Sequence, residues 1–171
     1  MSQSAAFYIL NIKDLDALKN EDAHESEAKK SWLRLKRKTQ DPFITKLEDL
    51  AVEKINYRWS ALAFPILAVF SKENLKADWS YLEYSEVADK LSEKMEAGIY
   101  IFSQNDLGLM KIKPNGYFYS IQQLNTFAAE FEGSKPKNPE VMRNAAKALE
   151  DALSKLTKDT VLLLLLTPEE S

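Results

Sequence analysis

The run Val161-Leu162-Leu163-Leu164-Leu165-Leu166 constrains this chain more than any other stretch. It lies between Lys158-Asp159 and Thr167-Pro168, and six residues are too few for a separate helix even though leucine is a good helix former. A strand buried on both faces fits it, because alternate side chains of a strand point to opposite sides of a sheet and here both sets are apolar. Such a strand needs neighbours on each side.

The beginning of the chain supplies one candidate. Phe7-Tyr8-Ile9-Leu10, followed by Asn11-Ile12, reads as a strand, and Asp14 then stands before Leu15 and Leu18 as a helix N-cap does. Ile99 to Phe102, Leu109 to Lys113 and Tyr117 to Tyr119 are further strand-like runs, the last two joined by the turn residues Pro114-Asn115-Gly116 into a hairpin or small meander. The expected fold is α+β: one helix-rich domain over residues 1–171, with a small mixed sheet containing the N-terminal and C-terminal strands. Residues 1–5 and 167–171 are expected to be flexible termini.

Helical spacing accounts for most of the rest. Asp41-Pro42 is an N-cap followed by proline at the first helical position, and Ile44, Leu47, Ala51, Ile55, Trp59 and Leu62 recur at three- or four-residue intervals as one continuous stripe. Pro65 is expected to kink or end that helix. Ser85 caps a helix carrying Val87, Ala88, Leu91 and Met95, with Gly98 placed for a left-handed C-terminal residue. Ser120 and Gln123 form a capping box before Leu124, Phe127, Ala128 and Phe131. Gly133 to Lys137 reads as a linker, and Asn138-Pro139 opens a last helix in which Val141, Ala145, Ala148, Leu149, Ala152 and Leu156 form the apolar stripe.

Composition removes whole classes of chemistry. The chain has 171 residues, 45% hydrophobic and 29% charged, the balance of a globular domain. It contains no cysteine and one histidine, which excludes thiol catalysis, disulfide frameworks, zinc fingers and thiolate-held iron–sulfur clusters. Its four widely spaced glycines cannot build a phosphate-binding loop or a dinucleotide fingerprint, and no Gly-x-Ser-x-Gly elbow occurs. No cofactor and no metal are therefore expected. The net charge of −3 gives no general attraction to polyanions. Met1 to Ala6 lacks the features of a secretory signal, and the apolar runs Ala61 to Phe70 and Val161 to Leu166 fall short of the roughly 20 residues a membrane span needs. A cytoplasmic setting and no membrane partner are the expectation.

Three surfaces hold chemistry worth weighing. In the segment Lys29 to Lys38, Lys30, Arg34 and Lys38 share one helical face with Arg37 beside them, and Trp32 offers a stacking surface, so the segment has the makings of a nucleic-acid or partner contact. The same pattern also describes a solvated basic face over packed apolar residues. Glu83, Glu86, Asp89 and Glu93 raise a carboxylate-pair reading, countered by Lys90 and Lys94 at ordinary ion-pair spacing. His24, among Glu21, Asp22, Glu25 and Glu27, reads as surface rather than as a metal ligand. Trp59, Trp79, Tyr81 and Tyr84 are candidates to line an interaction groove, with core packing as the alternative.

Four segments in this order resemble the YfbM-like family of small bacterial proteins. Ala6-Phe7-Tyr8 running into Ile12-Lys13-Asp14-Leu15 is similar to the family's opening strand and helix, and Tyr57-Arg58-Trp59-Ser60-Ala61-Leu62 to its central tryptophan helix. Tyr81-Leu82-Glu83-Tyr84-Ser85-Glu86-Val87 with Leu91, and the last helix running into Thr160-Val161-Leu162-Leu163, complete the likeness. The segment between Trp59 and Tyr81 lacks the glycines common in the family there. The resemblance implies a fold and a bacterial cytoplasmic setting; it brings no catalytic residue.

The expected function is that of a non-catalytic bacterial protein, an accessory or immunity-type module that binds a protein partner. A nucleic-acid-binding accessory protein using residues 29–38 is the first alternative, and a carboxylate-based enzyme the second.

Overall fold

The leucine run is an interior strand. In the computed structural model, which describes residues 3–20, 42–58, 60–107, 120–133 and 140–168, four strands form one sheet: β1 (Gln3–Asn11), β2 (Glu53–Tyr57), β3 (Gly98–Ser103) and β4 (Thr160–Pro168). Their order is β2-β1-β4-β3, so β4 has a partner on each side. The class is α+β, as expected, but each of the three strand pairings is antiparallel, so the sheet is not mixed.

β1 and β4 pair from Asn11↔Thr160 to Gln3↔Pro168, and the hydroxyl oxygens of Ser4 and Thr167 lie 2.7 Å apart. Of the ends expected to be flexible, residues 3–5 and 167–168 are therefore strand, and residues 1–2 and 169–171 lie outside the described residues. The ladder begun by the apolar pairs runs on through these residues, with the hydroxyl pair one step before its end.

Alternation along the strands serves two layers of helices. Phe7, Ile9, Leu162 and Leu164 face α3 (Ala63–Asn74), α5 (Ile121–Glu132) and α6 (Glu140–Leu153), while Tyr8, Leu10, Leu163 and Leu165 face α1 (Leu15–Asn20), α2 (Pro42–Leu50) and α4 (Ser85–Met95). This is why every position of the leucine run is apolar: the sheet has no solvent face at β4. Among the described residues, no helix is long and apolar enough to cross a membrane.

The single helix expected from Pro42 to Leu62 is instead a helix followed by a strand. The Ala51 amide still donates to the Leu47 carbonyl at 2.8 Å, but the Val52 amide donates to the Ile9 carbonyl at 2.8 Å, and β2 continues along β1. Ile55 and Tyr57 then alternate at strand period, and where a tryptophan helix was expected Tyr57 ends β2 and Arg58, Ser60, Ala61 and Leu62 are not helical, Trp59 lying outside the described residues. Pro65 occupies the third position of α3 and neither kinks nor ends it, because amides of the first turn lack an intrahelical acceptor and a missing donor costs nothing there.

At the end of α4 the left-handed residue is Glu96, at φ 53°, whereas Gly98 opens β3. The glycine serves close approach: a side-chain carbon at position 98 would sit 3.3 Å from Leu166 Cβ. The Ser120–Gln123 capping box forms as expected, and Leu124 and Ala128 are buried, while Phe131 is 50% exposed. The expected hairpin at 109–119 and the Asn138-Pro139 opening lie outside the described residues.

Candidate functional site

β3 is an edge strand, and the chain between α3 and α4 crosses its outer side from one helical layer to the other. That crossing carries a short 3₁₀ turn, Trp79–Tyr81, capped by Asp78, whose carboxylate accepts from the Ser80 amide at 2.9 Å and the Ser80 hydroxyl at 2.7 Å. Those bonds, the hydroxyl first, together with Lys72 at 3.9 Å, hold the Asp78 carboxyl below its ordinary pKa. The two aromatic residues of the turn differ sharply in exposure. Trp79 is only 5% exposed and meets the rings of Tyr100 and Phe102 edge-on, each at 5.2 Å between centroids, whereas Tyr81 is 80% exposed.

The turn is braced from the far end of β3. Asp106 is buried, and its carboxylate accepts from the Ser103 amide at 2.8 Å and from the Glu83 amide at 3.0 Å. The Ser103 hydroxyl donates to Glu83 Oε2 at 2.7 Å, with Asp106 Oδ2 at 3.1 Å, and Asn105 Nδ2 donates to the same Glu83 oxygen at 3.0 Å. The two carboxylates thus act as hydrogen-bond acceptors that pin residues 83 and 103 together. Burial, and then the charges of Glu83 and Asp106, raise the pKa of the neighbouring Tyr84 phenol.

Hydrogen bonding along the outer edge of β3 alternates. The Ile99 amide donates to Ser92 Oγ at 3.1 Å, and the Ile99 carbonyl oxygen is 3.3 Å from the same hydroxyl, which also reaches the Ala88 carbonyl at 2.8 Å. Since the Ile99 and Ser103 amides both point away from β4, strand geometry turns the N–H and C=O of Ile101, midway between them, outward as well. Ile101 is 0% exposed, and among the described residues no partner lies against its outward backbone groups.

A cleft of about 230 Å³ lies beside β3, walled by Ala68 and Lys72 of α3, Trp79 and Leu82 of the crossing segment, and Ala88 of α4, with Ile101 as part of its lining. The Trp79 Nε1 atom is buried without a hydrogen-bond partner among the described residues. A second hollow of about 370 Å³, between Phe70 and Asn74 of α3 and Gln123 and Phe127 of α5, is lined chiefly by polar side chains.

The aromatic residues singled out in the sequence do not converge on one groove. Trp79 lines the cleft, Tyr81 projects from the same turn into solvent, and Tyr84 packs against the opposite core layer. Trp59 lies outside the described residues, as do Lys30, Trp32, Arg34, Arg37, Lys38 and His24. Glu86, Asp89 and Glu93 are exposed on α4. Among the described residues, no group of three or more histidine and carboxylate side chains is arranged to hold a metal ion. Sequence reading missed Ser92, Ile101, Ser103 and Asp106, whose roles depend on which strand stands at the edge. Only the Ser103-x-x-Asp106 capping pattern is a local signal.

Compared with family models, curated proteins and solved structures, the chain matches none.

Proposed function

We propose that this chain is a non-catalytic, cytoplasmic bacterial protein of the YfbM-like kind that works by binding a protein partner, as an accessory or immunity-type module, through the surface around the 78–83 crossing segment. One observation carries the reading: Tyr81, 80% exposed, sits on a turn tied down at both ends by Asp78 and Asp106. A large aromatic side chain held in water on a rigid support loses little conformational entropy on docking, and tyrosine is enriched among residues that dominate binding energy.

The test places a photo-crosslinking amino acid at position 81 and, separately, at the exposed Lys90 position of α4, in cells of the source organism. A discrete protein adduct formed from position 81 and missing from position 90, and weakened by Asp106→Ala in the same chain, is expected. Equal or absent adducts at both positions would overturn the reading.

A further inference from the structure

We propose that β2 is the surface through which two copies of this chain pair, their β2 strands lying antiparallel about a two-fold axis at Ile55 so that the two four-stranded sheets join into one. This goes beyond partner binding at Tyr81 and does not depend on it, because the 78–83 segment lies against β3, at the opposite edge of the sheet.

The direction of the free backbone groups follows from the ladder. The Ile9 carbonyl accepts from the Val52 amide, so the backbone groups of Ile9 point toward β2. At strand period those of Phe7 and Ala5 do the same, and their partners Glu53, Ile55 and Tyr57 point back. The N–H and C=O of Lys54 and Asn56 therefore face away from the sheet, and both residues are exposed. No group among the described residues bonds to them. The other edge is built differently: at β3 the Ser92 and Asp106 side chains occupy the outward amides of positions 99 and 103. A strand edge left with free groups is a template for another strand.

Two features select a second copy as the occupant. A strand that offers one outward residue on each side of Ile55 is complementary to itself. Turned about Ile55, Lys54 meets Asn56 of the second copy and Asn56 meets Lys54 of the second copy, each pair exchanging two backbone hydrogen bonds with none left over. The charges favour the same register. An axis at Lys54 sets that lysine against itself, and one at Asn56 sets Lys54 against Arg58, whereas the axis at Ile55 opposes no like charges. A lysine on an edge ordinarily deters a second strand. Here Lys54 is held by Glu48 at 2.6 Å, and Glu53 by Lys155 at 2.6 Å, so the edge carries its own neutralising partners. Val52, 63% exposed, falls opposite Arg58 of the second copy, whose aliphatic stem can cover it.

The experiment follows the intact chain by sedimentation equilibrium from about 1 μM to about 1 mM, and hydrogen exchange at both ends of that range. A monomer–dimer equilibrium is expected, with the Lys54 and Asn56 amides becoming protected as dimer forms. Asn56→Pro removes an amide that bonds to nothing within the chain, which an edge strand tolerates, and is expected to be monomeric throughout. Asn56→Glu places a carboxylate opposite Lys54 at two symmetric positions and is expected to tighten association about threefold to tenfold, and Asn56→Lys to weaken it as much. Tyr81→Ala leaves the equilibrium unchanged, which separates this surface from the partner surface. A monomer at every concentration overturns the proposal, as does protection of the two amides that is equal in dilute and concentrated samples, which would mean that the chain itself covers the edge. A dimer indifferent to both charge variants overturns it too, by placing the contact elsewhere; these comparisons decide even if Asn56→Pro does not fold.

Discussion

Ser92 Oγ stands 3.1 Å from the Ile99 nitrogen and 3.3 Å from the Ile99 carbonyl oxygen, so one side chain of α4 lies against both outward backbone groups of this residue of the edge strand. Edge strands with free backbone groups are templates for unwanted pairing, and a helix hydroxyl laid against the edge blunts one. Ser92→Ala removes the acceptor and leaves the Ile99 amide unpaired. A loss of about 1–3 kcal/mol is expected in urea denaturation, because an unpaired buried donor keeps its full desolvation penalty. A change within a few tenths would mean that water reaches this edge.

Leu163 and Leu164 are adjacent in β4 and buried in different helical layers. Replacing either with alanine deletes core volume that neighbouring side chains refill only in part. Each substitution is expected to cost about 2–5 kcal/mol. Denaturation midpoints that fell for one variant and barely moved for the other would show that one of the two layers is not closely packed on the sheet.

The leucine run was legible because its composition admits only one kind of position, an interior strand between two layers. β2 was not. Ile44, Leu47 and Ala51 repeat at helical spacing, and Ile55 extends the series, so nothing in the stripe marks the place where Val52 turns to bond with Ile9. The edge of β1, remote in sequence, decides it. Glu96 was hidden for a related reason. Gly98 is the better left-handed residue, but it is needed where β3 comes close to Leu166, and the helix ends two residues earlier. At the site, Ser92 is visible in the sequence as one polar residue of a helix. Its meaning is not, because it depends on knowing that β3 has a bare side and that the Ile99 amide points to it.

Asp106 is the acceptor for two amides from different parts of the chain, those of Ser103 and Glu83. Asp106→Ala leaves both without their partner and unties the crossing segment from β3. A loss of about 2–4 kcal/mol is expected, with hydrogen exchange of the Glu83 amide accelerating more than that of amides in β1. Uniform acceleration across the sheet would mean that Asp106 supports the whole fold rather than this brace.

Tyr57 packs edge-on against Phe64, with 4.8 Å between ring centroids, and its buried hydroxyl has no hydrogen-bond partner among the described residues. Burial pushes the phenol up to about 12, against about 10 for an unfolded tyrosine. Between those values the folded chain keeps a proton that the unfolded chain has lost. The contribution of Tyr57 to stability is therefore complete below pH about 10 and declines as the pH rises toward about 12. Burial raises the phenols of Tyr8 and Tyr100 in the same direction. Tyr57→Phe keeps the ring and discards the unpaired hydroxyl, so equal stability or a gain of up to about 1 kcal/mol is expected at pH 7. Above pH 10 the variant should lose stability less steeply than the parent chain. Urea midpoints measured from pH 8 to 11.5 check both statements; parallel curves would assign the alkaline loss to groups other than Tyr57.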